Sequence, residues 1–235
     1  MNTSELLGLL ARTLATLDAA ETVAARMCQA CTAILGAQGG SLSLATLPGE
    51  QVTVTSTNAM AARVESIQDV LGEGPGRRAF RDDAIVSAPL GAVALADDPF
   101  PVFSQLAGEA TGDGTWFGIP MRVGGQPVGV LGLVVGAGQV LARAVEDAQF
   151  LADAIGTAVL GEIDQLGWTA RARVDQATGM VSAQLRVQPH DALAVLRAHA
   201  FGRGSTLEDV AEDVVARRVS FAHEAGAVET RPTED

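Results

Sequence analysis

Three amphipathic helical stretches follow one another so closely over residues 168–215 that this part of the chain has one compact solution, a small helical bundle. From Trp168 to Leu185 the apolar positions Ala170, Val174, Ala177 and Val181 recur at three-to-four-residue spacing, which marks one face of a helix. Gly179 lies inside that helix, where glycine costs about 1 kcal/mol relative to alanine, so its presence predicts the close approach of another backbone. Pro189 opens a second helix at a position where its missing N–H does no harm, with Ala192, Leu193, Leu196 and Ala200 inward, and Gly202 and Gly204 end it. Ser205-Thr206-Leu207-Glu208 reads as a Ser-x-x-Glu capping box for a third helix, whose inner face is Leu207, Val210, Ala211, Val214 and Val215.

Within these helices stand three ordered blocks. They are Arg171-x-x-Val174-x-Gln176-Ala177-x-Gly179-Met180, then Asp191-Ala192-x-x-x-Leu196-Arg197-x-x-Ala200, then Leu207-x-Asp209-Val210-Ala211. Together they resemble the ANTAR domain, the RNA-binding output module of bacterial transcription antiterminators. The resemblance implies binding to paired RNA hairpins in transcript leaders, and it directs attention to Arg171, Arg173, Gln176, Arg186, Arg197 and Arg203 as the RNA-facing residues. Two positions depart from the family's habit. Thr178 stands where a lysine is usual, and Thr206 where a basic residue usually precedes the leucine. Phosphate binding scales with the number of cations that meet the backbone, so two missing cations weaken a small module.

Charge sharpens this. The chain of 235 residues carries a net charge of −12, with no lysine and no tyrosine. Residues 166–222 hold seven arginines against six acids, near +1, whereas residues 1–165 hold eight against eighteen and residues 223–235 one against four. The helical module is therefore the part of the chain that does not repel nucleic acid, and it is not basic enough to bind tightly as a single copy. For any one of these arginines a solvated helix surface is the simpler explanation, and Arg171 and Arg197 can instead pair internally with Asp175 or Asp209. His190 and His199 are most simply exposed helix residues.

The first 160 residues read differently. Ala19 to Leu35 is helical by spacing, and Gly39-Gly40 breaks it before strands at Ser41–Thr46 and Gln51–Thr57 joined through Pro48-Gly49-Glu50. A helical segment at 61–70 leads to the turn Leu71-Gly72-Glu73-Gly74-Pro75-Gly76. After it come a strand near 85–88, an acidic loop through Asp97 and Asp98, a helix at 102–110, strands at 115–121 and 126–135 joined by Gly124-Gly125, and a helix over 140–160. With Gln68, that turn, and the run from Pro120 through Gly124-Gly125 to Leu131, this order resembles a GAF domain, whose relatives bind small ligands between sheet and loops. Such relatives often have cysteine where this chain has Gly76, so cysteine-based sensing at that turn is not expected.

The fold class that follows is α+β: a GAF-like antiparallel sheet flanked by helices, a long connecting helix, and an ANTAR-like three-helix bundle. The domains are placed at 1–18 (helical extension), 19–160 (sensor), 161–222 (RNA-binding module) and 223–235 (acidic flexible tail). Leu141, Val145, Ala148, Ala152, Ile155 and Val159 step by four and three, and Ile163, Leu166, Ala170 and Val174 continue them, which predicts a homodimer through the connecting helices; packing of the seam on the sensor sheet is the alternative.

Cys28-Gln29-Ala30-Cys31 lies well inside a helix, away from the end where a helix dipole activates a thiol, and reads as a pair of core cysteines. The histidines, at 190, 199 and 223, all lie outside the sensor, which disfavours haem ligation there. No cofactor or metal is called for. No nucleophile–histidine set or lysine-bearing phosphate loop is present, so an enzyme is not expected. Without a basic amino-terminal leader or a run long enough to span a bilayer, the chain is expected in the cytoplasm and away from membranes. Two functions remain: a GAF-regulated, RNA-binding antiterminator with an unnamed small-molecule ligand, or a regulatory protein whose ANTAR-like part no longer binds RNA.

Overall fold

The computed structural model describes residues 2–45, 51–91, 97–161, 169–224 and 227–232, with the backbone alone for 169–171, 222–224 and 227–232. The chain divides into two compact units, Met1–Gln68 with Glu73–Leu166, and Asp69–Gly72 with Gly167–Asp235.

The first unit is built on an antiparallel sheet of β1 (Gly39–Ala45), β2 (Gln51–Ser56), β3 (Val86–Leu90), β4 (Gly114–Val123) and β5 (Gln126–Gly136), in the order β2-β1-β5-β4-β3. Strand alternation gives the sheet two unlike faces. One presents Leu42, Leu44, Ile119, Met121, Leu131 and Leu133, and these are buried with Met27, Cys28, Cys31 and Ile34 of α2 (Val23–Ile34) and Leu151 and Ile155 of α6 (Val145–Leu160). Leu6 and Leu10 of α1 (Thr3–Leu14) join the same core, with Asn2 and Glu5 forming a reciprocal cap at that helix's start. The register sets Ser41 opposite Gly132, and Gly132 opposite Gly118, on the other face. There α3 (Ala59–Leu71) and α4 (Pro75–Asp82) approach the sheet, with α5 (Pro101–Thr111) beside β3. A Cβ at Gly132 would drive into the Trp116 ring, and one at Gly118 would lie 2.9 Å from the Pro75 carbonyl oxygen. Both glycines are needed for that closeness.

Three expectations for this unit are corrected. Gly39 and Gly40 begin β1 instead of breaking the chain before it, because a Cβ at Gly40 would collide with the Thr32 hydroxyl where α2 crosses the strand. The turn at 72–76 runs straight into α4, a helix that the polar run Pro75–Asp82 concealed, with Pro75 in its first turn. The helix expected from residue 140 starts at Val145, with Ala144 as its extended N-cap. Ala148, Ala152, Ile155 and Val159 of the expected dimer seam are each at most 1% exposed inside this unit's core, so packing on the sensor takes them. Of the rest of that seam, Ile163 and Leu166 lie outside the described residues, as does the Ala170 side chain.

In the second unit, α7 (Thr169–Leu185), α8 (Pro189–Arg203) and α9 (Leu207–Val215) enclose Val174, Ala177, Val181, Leu185, Leu196, Ala200, Val210 and Val214. The inner faces of the described side chains are those the spacing predicts, with Val215 only partly buried. The cap of α9 shifts by one residue. Thr206 is the N-cap, its hydroxyl accepting from the Asp209 N–H (3.0 Å) while Asp209 Oδ2 accepts from the Thr206 N–H (3.2 Å); Ser205 plays no part in it. Gly179 is exposed, and a Cβ there would meet nothing within 4 Å, so no backbone of the described residues approaches it. At the carboxyl-terminal end, β6 (Val219–Glu224) pairs antiparallel with β7 (Ala227–Pro232). The hairpin is anchored because Val219 and Phe221 enter the helical core and the Phe221 N–H donates to Gln184 Oε1 at 2.9 Å.

Candidate nucleic-acid interface

The exposed arginines among the described side chains of the second unit fall into two groups. Arg173 on α7, Arg203 at the end of α8 and Arg218 after α9 converge on two adjacent carboxylates of α9. Arg173 reaches Glu212 at 3.5 Å, Arg203 reaches Asp213 at 3.5 Å, and Arg218 spans both, at 2.8 Å from Asp213 and 3.6 Å from Glu212. These guanidiniums are about half exposed. Exposed pairs of this kind contribute about 0–1 kcal/mol each and weaken with salt, so a polyanion can displace the carboxylates. Arg186 and Arg217 form the other group: both are exposed, and neither side chain has a hydrogen-bond or ion-pair partner among the described residues.

The residues expected to face RNA are thus distributed. Arg173 and Gln176 are exposed on α7, Arg186 directly follows it, and Arg203 closes α8. Arg197 is half-buried on α8 and engaged with neighbours. Arg171 lies in the first turn of α7, with its side chain outside the described residues. Sequence reasoning left out Arg217 and Arg218; the adjacent pair immediately beyond the third helix was the available signal.

The two threonines that stand where cations are usual both have local work. Thr206 caps α9, and the Thr178 hydroxyl donates to the Val174 carbonyl at 2.7 Å. His199 is half-buried, edge-on against Phe221 with ring centroids 5.4 Å apart, which corrects the expectation that it is simply exposed. Burial, then the Arg203 guanidinium, hold it below the usual 6.5, against the opposing pull of Asp213.

In the first unit the residues of the sensor resemblance build a buried polar chain. The Gly76 N–H donates to Gln68 Oε1 (2.8 Å), Gln68 Nε2 donates to Glu65 Oε2 (3.2 Å), and Ser41 Oγ donates to Glu65 Oε1 (2.6 Å). Gly74, at φ 147°, is held against the same glutamine, whose side chain a Cβ would strike. The indole N–H of the wholly buried Trp116, on that face of the sheet, has no hydrogen-bond partner among the described residues. Cys28 and Cys31 are fully buried in α2; burial pushes the Cys28 thiol up to about 12 and the Cys31 thiol higher still, which removes the thiolate that redox or metal chemistry needs.

Comparison with known proteins agrees with both units. The GAF domain family matches residues 18–160 and the ANTAR domain matches residues 168–215, so this chain belongs to the GAF domain family and carries a carboxyl-terminal ANTAR domain. Both are regulatory domains, the second an RNA-binding output. Among solved structures, the chain is similar to the second GAF domain of DevS from Mycobacterium smegmatis, at 21% identity and a TM-score of 0.41, covering 61% of this chain and 94% of that one. It is also similar to the GAF domain of an Acinetobacter phosphoenolpyruvate-protein phosphotransferase, at 15% identity and a TM-score of 0.42, covering 71% and 98%. A further structure, an RNA-binding light-oxygen-voltage receptor, aligns at 18% identity and a TM-score of 0.23, over 77% of this chain and 47% of that one. No curated protein matches the chain. Among the described residues no helix is long and apolar enough to cross a membrane.

Proposed function

We propose that this protein is a cytoplasmic, non-enzymatic transcription antitermination regulator, in which the GAF sensor controls an ANTAR module that binds paired RNA hairpins in transcript leaders. The observation that supports it best is the ANTAR match over 168–215 on a bundle whose surface carries arginines from α7 and α8 and from just beyond the ends of α7 and α9. Arg171, Arg173, Gln176, Arg186, Arg197 and Arg203 are its proposed contacts. Arg173 and Arg203 reach phosphate by exchanging a carboxylate of α9 for it, a charge-assisted contact of the same kind. In a homodimer the phosphate contacts double, which a module of such low net charge needs. A small molecule bound on the face of the sheet that carries Trp116 and Ser41, beside Glu65 of α3, is the proposed signal.

Sequencing the RNA that copurifies with the protein from its own cells tests the reading. Enrichment of leaders with two adjacent stem-loops ahead of a terminator supports it; RNA no different from the input removes it. The second reading, a regulator that has lost RNA binding, is favoured by one observation, the internal pairing of Arg173, Arg203 and Arg218 with Glu212 and Asp213.

A further inference from the structure

Three described residues other than glycine hold the left-handed backbone conformation: Asp83 at φ 47°, Arg186 at φ 55° and Arg217 at φ 59°. All three follow a helix, the position where glycine is favoured because a Cβ crowds the backbone. In the second unit, α8 follows that rule and ends on Gly204 at φ 62°. The fold compensates Asp83 directly: Asp83 Oδ1 accepts from Arg122 Nε at 2.7 Å and its carbonyl accepts from Arg122 Nη2 at 2.9 Å. No such return exists for the two arginines. Their side chains are exposed and without a polar partner among the described residues, whereas Arg173, Arg203 and Arg218 all pair with α9.

Arg217 also has a distinctive setting. It lines an open apolar cleft of about 310 Å³ with Met180, Ala183, Gln184, Val219 and Ser220, where the last turns of α7 meet β6. Arg186 stands two residues beyond Gln184, at the same end of α7. The cleft floor is nearly free of polar atoms, so it supplies no carboxylate to hold the Arg217 guanidinium.

We infer that Arg186 and Arg217 form a polyanion contact at the carboxyl-terminal ends of α7 and α9, kept at two unfavourable backbone positions for binding and not for folding. In the proposed function, on which this inference rests, the polyanion is RNA and the two guanidiniums meet its phosphates. Arg217 thereby joins the interface as a residue that the motif does not contain. A glycine at either position would suit the backbone better.

The test uses the full chain with Arg186→Gly and Arg217→Gly combined, and with both changed to asparagine, which also tolerates this conformation. The melting temperature of the second unit holds or rises by a few degrees, since glycine relieves the backbone. Affinity for a short two-stem-loop RNA falls about tenfold or more, and the slope of log K against log salt shrinks by about two. Unchanged affinity and slope in a folded variant overturn the inference. Elution from immobilised heparin separates it from the RNA reading: the double variant elutes at lower salt than wild type, and Arg173→Ala with Arg218→Ala, whose cations are already paired, shifts elution less. Equal shifts overturn the inference. A wild-type chain that binds heparin through this pair but binds no stem-loop RNA leaves the polyanion site standing and removes the RNA reading.

Discussion

The two units use glycine in opposite ways. In the sensor, Gly118 and Gly132 are covered so closely by α4 and the Trp116 ring that a single methyl group has no space. In the output unit, Gly179 and Gly202 sit on helices with nothing within 4 Å of where a Cβ would be. The first pair is explained by the fold, and the second pair is not. The same division holds for polar groups. The sensor buries Ser41, Glu65 and Gln68 in a satisfied chain, while the output unit keeps its charges outside in exchangeable surface pairs. One unit is organised around an interior and the other around a surface.

Substitution at matched glycines sharpens this contrast most. Gly132→Ala is expected to destabilise the sensor by about 3 kcal/mol, through overpacking against Trp116 and Ser41. Gly179→Ala is expected to stabilise the output unit by about 1 kcal/mol, the helix-interior preference for alanine. Denaturant titration of each variant checks both, and the same sign for the two would break the comparison. If Gly179→Ala also weakens RNA binding, the open backbone at that position is where the partner comes close.

A second effect, somewhat smaller, concerns the buried chain. Gln68→Ala leaves the Gly76 N–H and the Glu65 carboxylate short of a partner, and a loss of about 2 kcal/mol is expected in the sensor's thermal or denaturant transition. Thr206→Ala is expected to cost the output unit about 1 kcal/mol, the loss of a helix cap, while Ser205→Ala stays near neutral. Equal losses at 205 and 206 would return the cap to the serine. The smallest effect is with pH. His199 is held below 6.5 in the folded state, so the unfolded chain takes up its proton first as pH falls. Stability from this group is therefore complete above about pH 6.5 and declines as pH drops below it, and melting of the output unit at pH 5 and pH 7 should differ less in His199→Gln than in wild type.

The sequence made the inner faces of α2, α7, α8 and α9 legible because each rests on a run of apolar residues at one spacing. Elements without that contrast were hidden. α4 is short and half charged, and in the hairpin of β6 and β7 the alternation of Val219 and Phe221 is too brief to stand out. The start of α6 is hidden because Val140, Leu141, Ala142 and Ala144 continue its apolar pattern and its N-cap, Ala144, has no capping side chain. For the candidate interface, the arginines were visible one by one. Their division into paired and unpaired sets was not, since Arg203 and Asp213 meet only through the packing of α8 and α9. The conformations of Arg186 and Arg217 are likewise set by how two helices end.

The central claim is that the output unit binds RNA through its arginine surface. A gel-shift titration of the full chain against a two-stem-loop RNA at low and at near-physiological salt tests it most directly. The account predicts a saturable complex at low salt whose affinity falls steeply as salt rises, with a slope that reflects several phosphate contacts. No complex at low salt from a folded protein would contradict it, and the ANTAR domain of this chain would then be a regulatory module that has kept its fold without its RNA contact.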